Sequence, residues 1–326
     1  MILAGDIGGT KTNLAYFASE GDNLTLITAK SYASKQHSSL RDIVQKFTAQ
    51  YKERITAAAF GIAGPVIDGR CETTNLTWIV DSREIAQVLG LQSVGLINDL
   101  EATAYGTLQL GEHDKLVLNA GKARARATIA IIAAGTGLGE GGLAWNGTQY
   151  RALPSEGGHT DFAPRNELEI DLLRFLLQRY QRVSYERLVS GPGFYNIYEF
   201  FRSRAEYTEP VWLTEQIRSG DPSAAVSQAG VEGKDEACVE SLETFVSIYG
   251  AETGNLALKL LSTGGVYVGG GIAPKILSKI QQGSFMKSFT SKGRYATLMS
   301  NIPVHVVLND RTALYGAAHY ALVMQE

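Results

Sequence analysis

The chain opens on an apolar run, Ile2-Leu3-Ala4, that passes through Gly5-Asp6-Ile7 to Gly8-Gly9-Thr10 and resumes as Leu14-Ala15-Tyr16-Phe17. Two apolar runs around a Gly/Thr turn predict a β-hairpin. Leu24-Thr25-Leu26-Ile27 continues the sheet. Leu40, Ile43, Val44, Phe47 and Tyr51 then recur at helical spacing, with Ser38 or Ser39 as N-cap. Residues 57–63 read as a buried strand stopped by Gly64-Pro65, and 94–97 as another that ends on Asn98-Asp99.

The opening pattern returns about 125 residues later. Residues 128–133 are an apolar strand running into Gly135-Thr136-Gly137-Leu138-Gly139, followed by Leu143-Ala144-Trp145 and an Asn146-Gly147 turn. Helices are expected over 168–180, capped by Asn166, and over 242–261. The latter leads through Gly264-Gly265 to the strand 266–268 and Gly269-Gly270-Gly271. A last strand, 304–308, precedes Asp310 and a C-terminal helix. Strands alternating with helices mean α/β. Without a Pro/Ser-rich linker, the two halves are expected to touch across a cleft with crossing segments.

Composition narrows the partners. Hydrophobic residues make up 44% and charged residues 19% of the 326, a globular mix that excludes wholesale disorder. The net charge of −3 gives no basic footprint for nucleic acid. Cys71 and Cys238 are too few for a disulfide framework or a Cys-rich zinc site. The densest apolar stretch, 127–134, is far short of a membrane span. The N-terminus lacks a basic stretch and carries Asp6, so it is not read as a signal peptide. A reduced, cytoplasmic protein acting on small molecules is expected. The 35 glycines, about 11% of the chain against a usual roughly 7%, fall in bursts after apolar strands, where backbone must come close to a ligand.

Three nucleotide-binding patterns compete. The P-loop pattern does not occur. Gly137, Gly139 and Gly142 match G-x-G-x-x-G, with Asp161 about twenty residues on, but a hairpin follows where a dinucleotide fold needs a helix. The duplicated Gly/Thr turns are the third: exposed amides form an anion nest, and threonine hydroxyls add donors to phosphate oxygens.

Asp6-Ile-Gly-Gly-Thr10-Lys-Thr12 and Ala134-Gly-Thr136-Gly-Leu-Gly139 resemble the phosphate-binding hairpins of the sugar kinase, actin and heat-shock ATPase superfamily. Gly269-Gly-Gly-Ile-Ala-Pro-Lys275 resembles its adenosine loop. Within the superfamily the resemblance narrows to the bacterial glucokinase family over nearly the whole chain. It is carried by Thr74-Asn-Leu-Thr-Trp78, Ile97-Asn-Asp-Leu-Glu-Ala102, the segment from Leu153-Pro-Ser-Glu-Gly-Gly-His to Asp161-Phe-Ala-Pro164, and Tyr185-Glu-Arg-Leu-Val-Ser-Gly-Pro-Gly193. Repressor-and-kinase relatives carry a Cys-rich zinc motif after Glu-x-x-His; here no cysteine lies between 71 and 238. A DNA-reading domain would need chain ahead of the first hairpin, and only five residues precede Asp6.

The resemblance implies two ribonuclease-H-like (actin/hexokinase-type) α/β domains flanking a cleft. The smaller is expected over 1–108 plus 312–326, the larger over 109–311. It implies phosphorylation of glucose at the 6-hydroxyl by Mg·ATP, without structural zinc, in a cytoplasmic homodimer. Asp99, at the carboxyl end of a strand, would take the hydroxyl proton, with helix capping as its rival role. Asn75, Asn98, Glu156, His159 and Glu186 would hold the sugar, whose hydroxyls need both acceptors and donors. Gly8, Gly9, Thr10, Lys11, Gly135, Thr136, Gly137, Gly269, Gly270 and Gly271 would hold ATP, and Asp6 would meet Mg²⁺ through water. One departure stands out: family members often carry Arg where Asn13 lies.

Overall fold

A computed structural model describes residues 1–21, 23–51, 54–73 and 76–324. Two compact units divide the chain: Met1–Lys115 with Asn146–Leu153 and Asn309–Glu326, and Leu116–Trp145 with Pro154–Leu308. The first unit thus extends past residue 108 and takes in 146–153 as well. Specific hydrogen bonds make these ties. The Asn309 backbone N–H and Nδ2 donate to Asp114 O and Oδ1 at 3.2 and 2.9 Å, and the Ala152 N–H donates to the Tyr105 hydroxyl at 3.1 Å.

In the first unit a sheet runs in the order Asn23–Ala33, Lys11–Glu20, Ile2–Ile7, Ala57–Ile62, Gly95–Asn98. Ile2–Ile7 pairs antiparallel with Lys11–Glu20 and parallel with Ala57–Ile62. Because side chains alternate along a strand, its two faces meet different partners. Leu3, Ile7, Leu14 and Tyr16 pack with Leu40, Ile43, Val44 and Phe47 of the helix Leu40–Thr48. Each of these side chains contributes roughly 1.5–3 kcal/mol on full burial. Ser39 caps that helix, accepting the Asp42 N–H at 3.2 Å. The other face is small: Ala4, Ala15, Ala57 and Ala59 lie in a cluster with Leu314, Ala317, Ala318 and Ala321 of the C-terminal helix Thr312–Val323. That helix also packs on Asp99–Gly106, where Gly316 meets the Ala102 carbonyl so closely that a methyl would overlap it.

The second unit repeats the plan. Ile129–Ala134 pairs antiparallel with Leu138–Trp145 and parallel with Gly265–Gly269, which pairs parallel with Val304–Val307. The strands are apolar on both faces, as buried parallel pairing requires. The 25-residue helix Glu236–Leu260 lies in this core, burying Phe245, Val246, Ile248 and Tyr249. Asn166 caps Glu167–Leu177 through the Glu169 N–H at 2.9 Å.

Candidate active site

In the first unit the Gly8-Gly9-Thr10 turn is braced from the far end of the third strand. The Ser34 N–H donates to Thr10 O at 3.0 Å, and its hydroxyl donates to Gly8 O at 2.8 Å. The Thr12 hydroxyl meets Ser34 Oγ at 3.0 Å, with both side chains fully buried. Thr10 and Lys11 remain exposed. Asp6 stands opposite Asn13, whose Nδ2 donates to Asp6 Oδ2 at 3.3 Å. Burial pushes the Asp6 carboxyl above the usual range, and the Asn13 hydrogen bond pulls the other way. Asn13 is thus a neutral donor to the carboxylate where an arginine would have been a fixed charge.

Asp99 begins the helix Asp99–Gly106 directly after the strand Gly95–Asn98. The cap is Asn98: its Oδ1 accepts the Leu100 N–H at 2.8 Å, and its backbone N–H donates to Glu101 Oε2 at 3.0 Å, a capping box. Asn98 Nδ2 also donates to the Gly64 carbonyl at 3.0 Å. The role that competed with catalysis at Asp99 therefore falls mainly to its neighbour. Asp99 Oδ1 accepts the same Leu100 N–H at 2.9 Å.

In the second unit the Gly135-Thr136-Gly137 turn is closed by the Gly135 N–H to Gly137 O at 2.9 Å and anchored by the Gly191 N–H to Gly135 O at 2.8 Å. Gly270, in a left-handed conformation (φ 81°), lies against the Ala134 backbone with no room for a Cβ. The Ile272 N–H donates to Ala134 O at 3.2 Å. These junctions border a cavity of about 1030 Å³ whose wall includes Gly135, Thr136, Gly191, Gly271, Ile272 and Lys275. Gly137 turns toward Glu186 instead: Glu186 Oε2 accepts the Leu138 N–H at 3.0 Å. Glu186 Oε1 lies 3.9 Å from His159 Nδ1, and His159 Nε2 lies 4.0 Å from Glu156 Oε2. Glu156, His159 and Glu186 thus form one group beside the second turn, with Glu156 and His159 largely solvent-facing. Two carboxylates around an imidazole present the mixed acceptors and donors that sugar hydroxyls require. Asn75 lies outside the described residues.

The glucokinase family model matches residues 3–324. The chain belongs to the glucokinase family. A glucokinase from Nostoc sp. is 46% identical over 334 residues, covering 98% of each chain. The crystal structure of a glucokinase from an Antarctic psychrotroph, 29% identical, superposes with a TM-score of 0.87 over 99% of this chain and 98% of that one. A ROK family glucokinase from Streptomyces griseus, in complex with glucose and AMPPNP, shares the fold at a TM-score of 0.66 and 21% identity, covering 99% of both chains.

Three features of this glucokinase family chain were not singled out from its sequence. Ser34 lies past a strand with no local mark of its role. Ser190 caps the helix Gly191–Arg202, accepting the Gly193 N–H at 3.0 Å, and so orients Gly191 against the second turn. Glu140, on the strand behind Gly157, is almost wholly buried at 1% exposure.

Proposed function

We propose that the chain transfers the γ-phosphoryl group of ATP to the 6-hydroxyl of glucose, with Asp99 as the general base. Family membership supports phosphorylation of glucose. The Streptomyces griseus complex with glucose and AMPPNP supports an adenine nucleotide as donor. The observation that carries the assignment of Asp99 is its place: it follows directly on the carboxyl end of the strand Gly95–Asn98 and opens the next helix, where α/β proteins gather their sites. As the phosphoryl group moves, Asp99 accepts the hydroxyl proton. Glu156, His159 and Glu186 orient the sugar through its hydroxyls, with Asn98 and Asn75 as further ligands. The Gly8-Gly9-Thr10 and Gly135-Thr136-Gly137 turns offer amides and hydroxyls to the phosphates, with Lys11 as a cation. Gly269, Gly270 and Gly271 would lie beside the nucleoside, with Gly271 in the wall of the cavity of the second unit.

Among the described residues no three His, Cys, Asp or Glu side chains gather to hold a metal ion. Asp6, beside the first turn and held by the Asn13 amide, would meet through water a Mg²⁺ that arrives with the nucleotide and keeps most of its waters. When bound, that ion would neutralise charge on the β- and γ-phosphates. The family resemblance supports a cytoplasmic homodimer, which sedimentation of the purified protein tests. ATP consumption measured with and without glucose, reading glucose 6-phosphate, tests the activity. Turnover that does not depend on sugar, or glucose binding without turnover, would overturn it.

A further inference from the structure

Behind the Glu156/His159 turn lies a polar group that the proposed reaction leaves unused. Glu140 points from the strand Leu138–Trp145 into the second unit, and neither of its buried carboxyl oxygens has an N–H or O–H donor. Its polar neighbour is the carboxyl of Glu252, fully buried on the helix Glu236–Leu260. Glu252 is already supplied: Asn255 Nδ2 donates to its Oε2 at 2.7 Å and Lys259 Nζ to its Oε1 at 3.2 Å. Two carboxyl groups hydrogen-bond only when one of them carries a proton, and with Glu252 served by donors that proton belongs on Glu140.

The pair touches both turns that carry the sugar candidates. Gly157 rests on the Glu140 carboxyl so closely that a methyl there would collide with Oε2, while Gly158 rests in the same way on the Leu138 carbonyl. On the other side Asn255 Nδ2 also donates to the Tyr185 hydroxyl at 3.1 Å, and Tyr185 is the residue before Glu186. One side of the pair therefore leads to His159 and the other to Glu186.

We propose that Glu140 and Glu252 share one proton as a carboxylic acid–carboxylate pair, and that Glu140 is a positioning residue that holds the Glu156/His159 turn in its sugar-binding place. This rests on the reading that the turn binds glucose. The charged and titratable groups around the pair are Lys259 and Tyr249 on the long helix, Tyr185 on the 185–187 turn, Lys292 and Arg165. Lys292 Nζ donates to Asn255 Oδ1 at 2.5 Å and to Ala251 O at 2.9 Å, and burial lowers it to about 8, so its charge beside the network fades around that pH. Burial first, and the Glu252 charge second, push the Glu140 carboxyl up to about 8, while Lys259 opposes them. Above that pH two negative charges face each other under Gly157, and the support for the turn is lost.

The test compares the full-length protein with Glu140→Gln and Glu140→Leu. Glucose KM and kcat are measured from about pH 6 to about pH 10. Glutamine keeps the shape and supplies an N–H to Glu252 that cannot ionise; leucine supplies neither. The wild-type glucose KM should rise above about pH 8. Glu140→Gln should match wild type at neutral pH and lose that rise. Glu140→Leu should lose on the order of 10²-fold in kcat/KM, mostly through KM, since a displaced turn acts by misplacing substrate. An unchanged alkaline rise in Glu140→Gln, or a normal KM in a folded Glu140→Leu, would overturn the proposal. Infrared spectra at neutral pH give a readout that needs no sugar and no leucine variant. A protonated-carboxyl band should be present in wild type and absent from Glu140→Gln, and its survival there would also overturn the pair. If the band behaves as expected but wild type forms no glucose 6-phosphate, the reading of the activity fails while the shared proton stands.

Discussion

Each polar atom of the Asn98 amide makes a hydrogen bond within the fold, with the Leu100 N–H and the Gly64 carbonyl. Asn98→Ala should therefore cost about 1 kcal/mol of stability, the usual loss for a cap, read as a lower melting temperature. At Glu186 the expected loss is of binding. Glu186→Gln weakens a charge-assisted acceptor worth about 1.5–3 kcal/mol, so glucose KM should rise about 10- to 100-fold with kcat changing less. Glu140 predicts a pH dependence of stability with a definite sign. Its carboxyl is raised from 4.5 to about 8 in the folded chain, so between those values the folded state keeps a proton that the unfolded chain releases. Raising the pH through that window favours unfolding, and the contribution is fully present only below it. Melting temperatures of Glu140→Gln should lack this part of the wild-type decline; identical slopes would contradict it. Asp6, Asp99, Glu156, His159 and Glu186 could be named as candidates because each sits in a motif with Gly or a strand end beside it. Glu140 was not, because its partner Glu252 is remote in sequence and the Gly-rich run around it reads as a turn-forming hairpin.

Among elements, the hairpins and buried strands could be read from apolar runs, and the caps from their place before periodic helices: Asn166 directly, Ser39 as one of two candidates with Ser38. The helix Gly191–Arg202 could not. Gly191-Pro192-Gly193 reads as a breaker, yet in a first turn Pro gives up an N–H that has no helical partner, and Ser190 caps what remains. Ser190→Ala should lower stability by about 1 kcal/mol and loosen Gly191 from the second turn, detectable as faster amide exchange there. The helix that carries Asp99 is seated by a close approach that sequence periodicity does not mark. Gly316 lies on the Ala102 carbonyl, and backbone on both sides leaves nothing to rotate away. Gly316→Ala should cost about 1–3 kcal/mol or more. A melting temperature equal to wild type would show that the two helices can part freely.

For the whole molecule, the repeated strand–turn–strand unit in the sequence is repeated topology in the two units: a hairpin, then a parallel strand beside it. The extent of each unit was harder to read, because 109–115 and 146–153 belong to the first one without any mark in the sequence. Removal of divalent cations should abolish phosphoryl transfer while leaving the circular dichroism unchanged, since an ion that comes with the nucleotide is not part of the fold. The central claim is that Asp99 takes the proton of the sugar hydroxyl, and kcat of Asp99→Asn tests it most directly. Asparagine keeps the size of the side chain and an oxygen for the Leu100 N–H, but it has no carboxylate to accept the proton. Positioned proton transfer contributes about 10² to 10⁴ in rate, so kcat should fall by that order, with glucose affinity and melting temperature nearly unchanged. An Asp99→Asn enzyme that retains more than about a tenth of wild-type kcat would contradict the account.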